Sequence, residues 1–190
     1  IFGQTQFNDK HPTIDPFTGE TIRDDIFYST GLGFSLDETL PLPSLNLSRV
    51  YVITTQETCS ASEGLINGLR GIGIEVIQIG STTCGKPYGY YALDNCGSTY
   101  YFVQMKMSNA LGYGDFVDGF TPSSFDDGQA DIKGCFEADD LTNELGNRNE
   151  ASLSQALHYI QYGSCKNYQL QRGATNGVAI APLALPKGLA

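Results

Sequence analysis

Two short apolar segments separated by one helical segment constrain the fold of this chain more than any other feature. Residues 49–55 and 74–79 are rich in Val and Ile, which is typical of strands, and residues 64–70 between them follow a helical pattern. A strand, a helix and a strand of this size predict a right-handed crossover that returns the second strand parallel to the first. The carboxyl ends of both strands then lie at one edge of an α/β sheet, where such sheets hold their sites.

Ser60 and Lys86 follow these two strands. Ser60 lies in the stretch that leads from the first strand into the helix, and Lys86 ends the turn-forming segment 80–86 after the second strand. The topology therefore predicts that a hydroxyl group and an amino group meet at one edge of the sheet.

Length and composition predict a single domain. The 190 residues, of which 41% are hydrophobic, can form one core but not two. We assign residues 1–190 to one domain, with an irregular leader over residues 1–48 and a carboxyl-terminal arm over residues 173–190. The chain begins without Met and without a signal-peptide pattern, so we expect it to be trimmed at its amino end.

The charge balance argues against two classes of partner. The formal net charge is -10, and the 11 basic residues form no cluster. We therefore expect neither a nucleic acid nor an anionic membrane surface as a partner. No apolar run reaches the roughly 18 residues that a membrane span requires, so we expect no span in this chain.

The cysteines indicate disulfides. They are Cys59, Cys84, Cys96, Cys135 and Cys165. None forms a Cys-x-x-Cys pair, His11 lies far from them, and His158 precedes Cys165 by more than the usual spacing of zinc ligands, so we expect no metal site. Disulfides form in oxidising compartments, which predicts an extracytoplasmic protein, periplasmic or secreted.

One disulfide is predicted specifically. Cys135 precedes the acidic segment that leads to the last helix, and Cys165 follows that helix, so the chain can return to join the two. We predict a Cys135 to Cys165 bridge. Because five is an odd number, at least one thiol is free or pairs with a segment outside this chain.

Further elements follow from turn signals and periodicity. Residues 88–93 and 98–107 predict a β-hairpin, and residues 111–133, rich in Gly, Asp and Pro, predict loops. Residues 151–162 predict a helix that ends at Gly163. The apolar face expected for this helix consists of Leu153, Ala156, Leu157 and Ile160.

Ser60 has two interpretations. The run Ser60-Ala61-Ser62-Glu63 ahead of a helix is a capping box, which is a purely structural device. A hydroxyl at a helix N-terminus also faces unpaired N–H groups, which stabilise an oxyanion and so favour nucleophilic catalysis.

Lys86 also has two interpretations. Most lysines are solvated surface charges. Lys86 is flanked by Gly85 and Pro87 in a stretch without other charges, and a lysine that accepts a serine proton must be neutral, which burial favours. We expect the nearby tyrosines 88, 90 and 91 to provide that burial.

Two other nucleophilic arrangements compete with a Ser60 and Lys86 pair. A Ser/His/Asp triad would need His11 or His158, and nothing in the sequence brings either to Ser60. Cys59 could itself be a nucleophile, but a cysteine in an oxidised protein is more often paired or buried.

These residues resemble the C-terminal processing peptidases, also called tail-specific proteases. The resemblance covers residues 45–162 and is carried by Thr58-Cys59-Ser60-Ala61-Ser62-Glu63, by Gly85-Lys86, and by the distal segments 145–147 and 153–157. It implies a crotonase-like, or Clp-protease-like, fold with βαβ crossover units and a hairpin. It also implies Ser60 as nucleophile, Lys86 as general base, the Ala61 N–H as an oxyanion donor, a polypeptide substrate and no cofactor.

Two departures from that family pattern bear on the mechanism. The family places a glutamine four residues after the lysine, where this chain has Tyr90, which could orient Lys86 or contact the substrate. The family also has a glycine-rich loop upstream of the serine, often after a PDZ module, and this chain has no Gly-Gly pair. We expect a partial domain that lacks an amino-terminal segment or PDZ module.

Three functional hypotheses remain open. The first is a serine endopeptidase that acts through a Ser/Lys dyad and an acyl-enzyme. The second is a peptide-binding or scaffold domain of the same fold without turnover. The third is a fragment that folds only together with a missing amino-terminal part.

Overall fold

The computed structural model describes residues 2–14, 19, 21, 24–25, 28–32 and 39–166. Its elements, in chain order, are β1 (Gly3–Phe7), β2 (Asp24–Asp25), β3 (Thr30–Leu32), β4 (Thr39–Pro41), β5 (Arg49–Thr54), α1 (Ala61–Gly71), β6 (Glu75–Gly80), β7 (Tyr88–Asn95), β8 (Ser98–Asn109), β9 (Thr121–Ser123), β10 (Asp131–Phe136) and α2 (Ala151–Tyr162). The arm predicted over residues 173–190 lies outside the described residues. Within them, no helix combines the length and apolarity needed to cross a bilayer.

The predicted crossover unit is present and forms half of a parallel sheet. The strand order is β5-β6-β10-β9, and β5 pairs with β6 in parallel from Arg49 opposite Glu75 to Thr54 opposite Gly80. The α/β class with a parallel sheet is thereby confirmed. The carboxyl ends of β5 and β6 lie side by side, which brings the segments that follow them to one edge.

The two helices cover opposite faces of this sheet, and successive side chains of β6 point alternately to one face and the other. Val76 packs in a buried cluster with Ile66 of α1. Ile77 and Ile79 pack in a second cluster with Ala156 of α2. Complete burial of each such side chain contributes about 1.5–3 kcal/mol, so the two clusters hold the three layers together.

Helix α2 spans the predicted residues, but it buries a different face. Its N-cap is Glu150, whose carboxylate accepts from the Ser152 and Leu153 N–H groups, and Gly163 ends it in the left-handed conformation. The buried residues are Ser152, Gln155, Ala156 and Tyr159. The expected Ile160 is 54% exposed, whereas Tyr159 packs edge-on against Tyr51 of β5. This aromatic contact between α2 and β5, rather than the aliphatic stripe, sets the rotation of the helix.

The predicted hairpin β7–β8 belongs to a second, antiparallel sheet of order β2-β1-β8-β7. Strand β1 pairs with β8 from Gly3 opposite Asn109 to Phe7 opposite Met105. The expectation of an irregular leader over residues 1–48 is therefore corrected for this part. The strand was missed because Gly-Gln-Thr-Gln-Phe has little apolar alternation of its own and is held mainly by backbone pairing.

The segment 111–133 was expected to be loops, yet it contributes β9 and the start of β10. Strand β10 lies between β6 and β9, where Gly134 faces Gln78. A Cβ at position 134 would lie 1.7 Å from the Gln78 carbonyl oxygen, so only glycine allows this approach. That glycine and the neighbouring lysine hide the strand from a pattern-based prediction.

Candidate active site

Ser60 lies at the N-cap of α1 in a strained backbone conformation. Its φ is 55° and its ψ is -110°. A positive φ is uncommon for a residue other than glycine, and such sparsely populated conformations cost about 1–3 kcal/mol and cluster at active sites. The surrounding contacts must therefore hold Ser60 in place.

The Ala61 N–H lies in the first turn of α1, beside Ser60. Backbone N–H groups in the first turn of a helix have no partner within the helix. Among the described residues, none accepts a hydrogen bond from the Ala61 N–H, whereas the Ser62 N–H donates to the Cys59 carbonyl at 3.1 Å. The Ala61 N–H is therefore a donor next to Ser60 that has no acceptor among the described residues.

Glu63 joins the segment of Ser60 to the segment of Lys86. Its Oε2 accepts from the Ser60 N–H at 2.9 Å and from the Lys86 N–H at 2.8 Å. Its Oε1 accepts from the Gly85 N–H at 2.7 Å and from the Thr83 hydroxyl at 2.6 Å. The side chain is fully buried, and its four hydrogen bonds compensate for the removal of the carboxylate from water.

The role of Glu63 exceeds the capping box that the sequence predicts. The capping interaction with the Ser60 N–H is present, but three of the four donors come from residues 83–86. The sequence signal was the Ser-x-x-Glu spacing, which says nothing about partners on another loop. One oxygen atom binds both the Ser60 and the Lys86 backbone, so the structure brings these two predicted residues together.

The loop that carries Lys86 is held on its other side by residues 116–120. The Thr83 hydroxyl accepts from the Phe120 N–H at 2.8 Å, and the Thr83 N–H donates to the Phe120 carbonyl at 3.0 Å. Gly85 has φ +81°, and a Cβ there would lie 2.1 Å from the Val117 carbonyl oxygen. The glycine before Lys86 is therefore required by the packing of this loop.

A disulfide joins the same two loops. Cys59, which precedes Ser60, is bonded to Cys84, with Cα atoms 5.3 Å apart. The expectation that Cys59 is paired holds, and it excludes Cys59 as a nucleophile in the oxidised protein. The second disulfide joins Cys135 and Cys165, as predicted, and the exposed Cys96 is unpaired among the described residues.

The side chain of Lys86 does not have the expected environment. Lys86 is exposed, and the ring of Tyr90, itself 46% exposed, lies with its centroid 5.6 Å from Nζ. The tyrosines expected to bury the amine therefore form an open surface instead of a pocket. The face of Tyr90 attracts the Lys86 ammonium and keeps it at this edge of the site.

The remaining candidates lie elsewhere or are already engaged. His158 bonds through Nδ1 with the Ser164 carbonyl, and the ring of His11 stacks on Phe7, so each histidine has its own local partners. The ligand atoms of Cys59, Glu63 and Cys84 lie within 4.8 Å of one another. The two sulfurs are bonded together and the carboxylate already accepts four hydrogen bonds, so this cluster offers no free ligand in the oxidised protein.

No family model matches the sequence, and no curated protein matches it. Among solved structures, the chain is similar to the crystal structure of a Bacteroides fragilis protein provisionally described as an S41 protease, with a TM-score of 0.57 and 23% identity. The match covers 85% of this chain and 36% of that one. The likeness shows a shared protease-like fold over a part of the longer protein.

Proposed function

We propose that this chain carries the nucleophile and the base of a serine endopeptidase with a crotonase-like fold. The observation that carries the proposal is the shared Glu63 oxygen, which holds the backbone of Ser60 and the backbone of Lys86 at one point. The strained Ser60 backbone and the free Ala61 N–H support it, as do the resemblance to the C-terminal processing peptidases and the likeness to a protein described as a protease.

In the proposed mechanism, the Ser60 hydroxyl attacks the carbonyl carbon of a peptide bond while the Lys86 amine accepts its proton. The carbonyl oxygen becomes an oxyanion, which accepts a hydrogen bond from the Ala61 N–H. Collapse of this intermediate breaks the C–N bond and transfers the proton from Lys86 to the leaving amine. Water then hydrolyses the Ser60 ester and regenerates the hydroxyl group.

The exposed Lys86 gives the polypeptide substrate a part in this mechanism. A lysine must be neutral to accept the serine proton, and desolvation disfavours its charged form. A polypeptide bound between Lys86 and the Tyr90 side of the hairpin would exclude water from the amine. The two disulfides support an extracytoplasmic location for the enzyme.

The proposal is tested by labelling the full-length protein with a fluorophosphonate, which forms a covalent adduct with an activated serine. We expect one adduct, located at Ser60 by mass spectrometry and absent in Ser60→Ala. Ser62→Ala, which removes an exposed hydroxyl two residues away, is the matched control and should still be labelled. Peptidase activity that persists in Ser60→Ala would contradict the proposal.

Lys86 is tested by steady-state peptide hydrolysis with the same protein. Lys86→Ala and Lys86→Arg should both lose most of kcat, because a guanidinium stays charged and cannot accept the serine proton. Lys106→Ala removes another lysine, one paired with Asp115, and should leave turnover close to that of the wild type. A Lys86→Arg enzyme with near wild-type turnover would exclude Lys86 as the base.

A second candidate function follows from the exposure of Lys86 and from Tyr90 in the place of the family's glutamine. Both features favour a peptide-binding domain that retains the fold without turnover. Peptide binding measured by calorimetry, without a Ser60 adduct and without hydrolysis, would support this alternative over the peptidase.

A further inference from the structure

The two disulfides of this chain differ in their exposure to solvent. Cys135 is fully buried and Cys165 nearly so, within the cluster of Ile77 and Ile79. Cys84 is exposed, and Cys59 is partly exposed. Reduction of a disulfide requires that a thiolate reach one of its sulfurs, so an external thiol reaches Cys84 while the folded core protects the other bridge.

The accessible bridge also lies at the candidate site. Cys59 directly precedes Ser60, and Cys84 lies two residues before Lys86. Without this bridge, the two loops are held against each other by the hydrogen bonds that converge on Glu63 and by the Cys84 N–H, which donates to the Thr58 carbonyl at 3.0 Å. Ser60 also keeps an unfavourable backbone conformation, which persists only where the surroundings restrain it.

We propose that the Cys59–Cys84 bridge is a thiol-sensitive link that positions Ser60 relative to Lys86, so that reduction switches the site off and reoxidation restores it. The catalytic part of this statement rests on the proposed peptidase function. The reductant is a dithiol. Its thiolate attacks the Cys84 sulfur, and Cys59 leaves as a thiolate. The second thiol of the reductant then attacks the mixed disulfide and releases Cys84. The dithiol becomes a disulfide, and both cysteines become thiols after two electrons and two protons are transferred.

The expected effect of reduction is a loss of turnover with little change in KM. A displacement of about 1 Å between reacting groups costs on the order of 100-fold in rate, whereas the surface proposed above to bind the polypeptide, beside Lys86 and Tyr90, does not include the bridge. We therefore expect kcat to fall by roughly 10-fold to 100-fold after selective reduction. Reoxidation should restore it, which a denatured protein would not show.

The experiment uses the full-length protein with Cys96→Ser, which removes the exposed free thiol and its exchange reactions. Mild dithiothreitol is added, and peptide mapping identifies the bridge that opens. Two measurements follow on the same sample: peptide hydrolysis, and amide hydrogen exchange at Ser60, Gly85 and Lys86, whose N–H groups bind Glu63. Cys135→Ala with Cys165→Ala, which removes the other bridge, is the control and should retain redox-sensitive activity.

Selective opening of Cys59–Cys84, faster exchange at these three amides and a reversible loss of kcat support the proposal. Unchanged exchange after selective opening of that bridge overturns it, whether or not the protein hydrolyses peptides, and so does full activity of the reduced form. Absence of Ser60-dependent hydrolysis in the oxidised protein counts against the peptidase function instead, while the exchange result still decides whether the bridge positions the two loops.

Discussion

Glu63 shows how one buried carboxylate can organise two loops. A buried carboxylate is costly unless hydrogen bonds compensate for the lost hydration. Here all four donors come from the segments on which Ser60 and Lys86 lie, so the cost of burial and the geometry of the site are linked. We regard Glu63 as a positioning residue, because it acts through the backbone of its neighbours.

Glu63→Gln should lower both the stability of the protein and the turnover of the proposed peptidase. The amide turns an N–H₂ group toward donors that need an acceptor, and each buried group left unpaired costs about 1–3 kcal/mol. We expect urea titrations to give a lower free energy of unfolding. In the molecules that remain folded, kcat should fall while KM changes little. Glu57→Gln changes an exposed carboxylate on the same loop and should have neither effect. Wild-type stability and kcat in Glu63→Gln would contradict this role.

Gly85→Ala tests whether the glycine before Lys86 is needed for space as well as for its backbone angle. The new methyl group would meet the Val117 carbonyl oxygen, so the loop must move. Gly128→Ala is matched, since Gly128 also has a positive φ, +76°, but has nothing within 4 Å of its Cβ position. Both should lose about 1 kcal/mol from the backbone angle, and Gly85→Ala more, with lower activity. Equal melting temperatures for the two variants would argue against the steric role.

The start of α2 is stabilised by a short acidic turn. Asp140 accepts from the Thr142 hydroxyl at 2.6 Å, from the Asn143 amide at 2.8 Å and from the Ala151 N–H at 3.3 Å. Ala151 is the first residue of the helix. The hydrogen bonds from Thr142 and Asn143 lower the pKa of Asp140 from 3.8 to about 2. The carboxylate form is thus the one that the folded turn favours.

This lowered pKa predicts a stability that depends on pH. The pKa of Asp140 is lower in the folded than in the unfolded protein. The contribution of its carboxylate to the free energy of unfolding is therefore complete above about pH 4 and is lost as the pH falls toward about 2. Asp140→Asn should therefore flatten the fall of unfolding free energy over this window, as measured by urea titrations at several pH values. Asp139→Asn, at the exposed neighbouring position, should keep the wild-type slope. A steep slope retained in Asp140→Asn would reject the assignment.

The Cys135–Cys165 bridge connects the segment just after α2 to β10, one of the two inner strands of the parallel sheet. It spans 30 residues and lies in the cluster that packs α2 on the sheet. Cys135→Ala with Cys165→Ala should lower the free energy of unfolding by about 2–4 kcal/mol, because the unfolded chain regains its freedom. The measurement is chemical unfolding under oxidising conditions. No change in stability would show that packing alone holds α2.

Several features of the fold were predictable because they are encoded in consecutive residues. The apolar runs of β5 and β6 and the helix between them define the crossover unit. The turn residues at positions 94–97 define the hairpin, and Gly163 ends α2. Ser60 and Lys86 could be placed near each other for the same reason, since parallel neighbouring strands end at one edge.

Other features were decided by contacts between distant segments. Strand β10 depends on a glycine that fits beneath the Gln78 carbonyl, and β1 depends on pairing with β8 about a hundred residues away in the chain, as Gly3 opposite Asn109 illustrates. The pairing of Cys59 with Cys84 and the exposure of Lys86 likewise depend on how the loops meet. Such contacts leave no periodic signal in either segment, because they depend on which distant segments the fold brings together.

Glu63 combines both kinds of information. Its spacing from Ser60 predicted a capping interaction at the start of α1, and that interaction is present because it closes within a single helical turn. The other three hydrogen bonds come from residues 83–86, and they exist because the parallel sheet brings the loop after β6 alongside the loop after β5. The sequence alone therefore determined which residues would lie close together, and the tertiary structure determined that one buried carboxylate binds both loops, since only the folded sheet makes its donors converge.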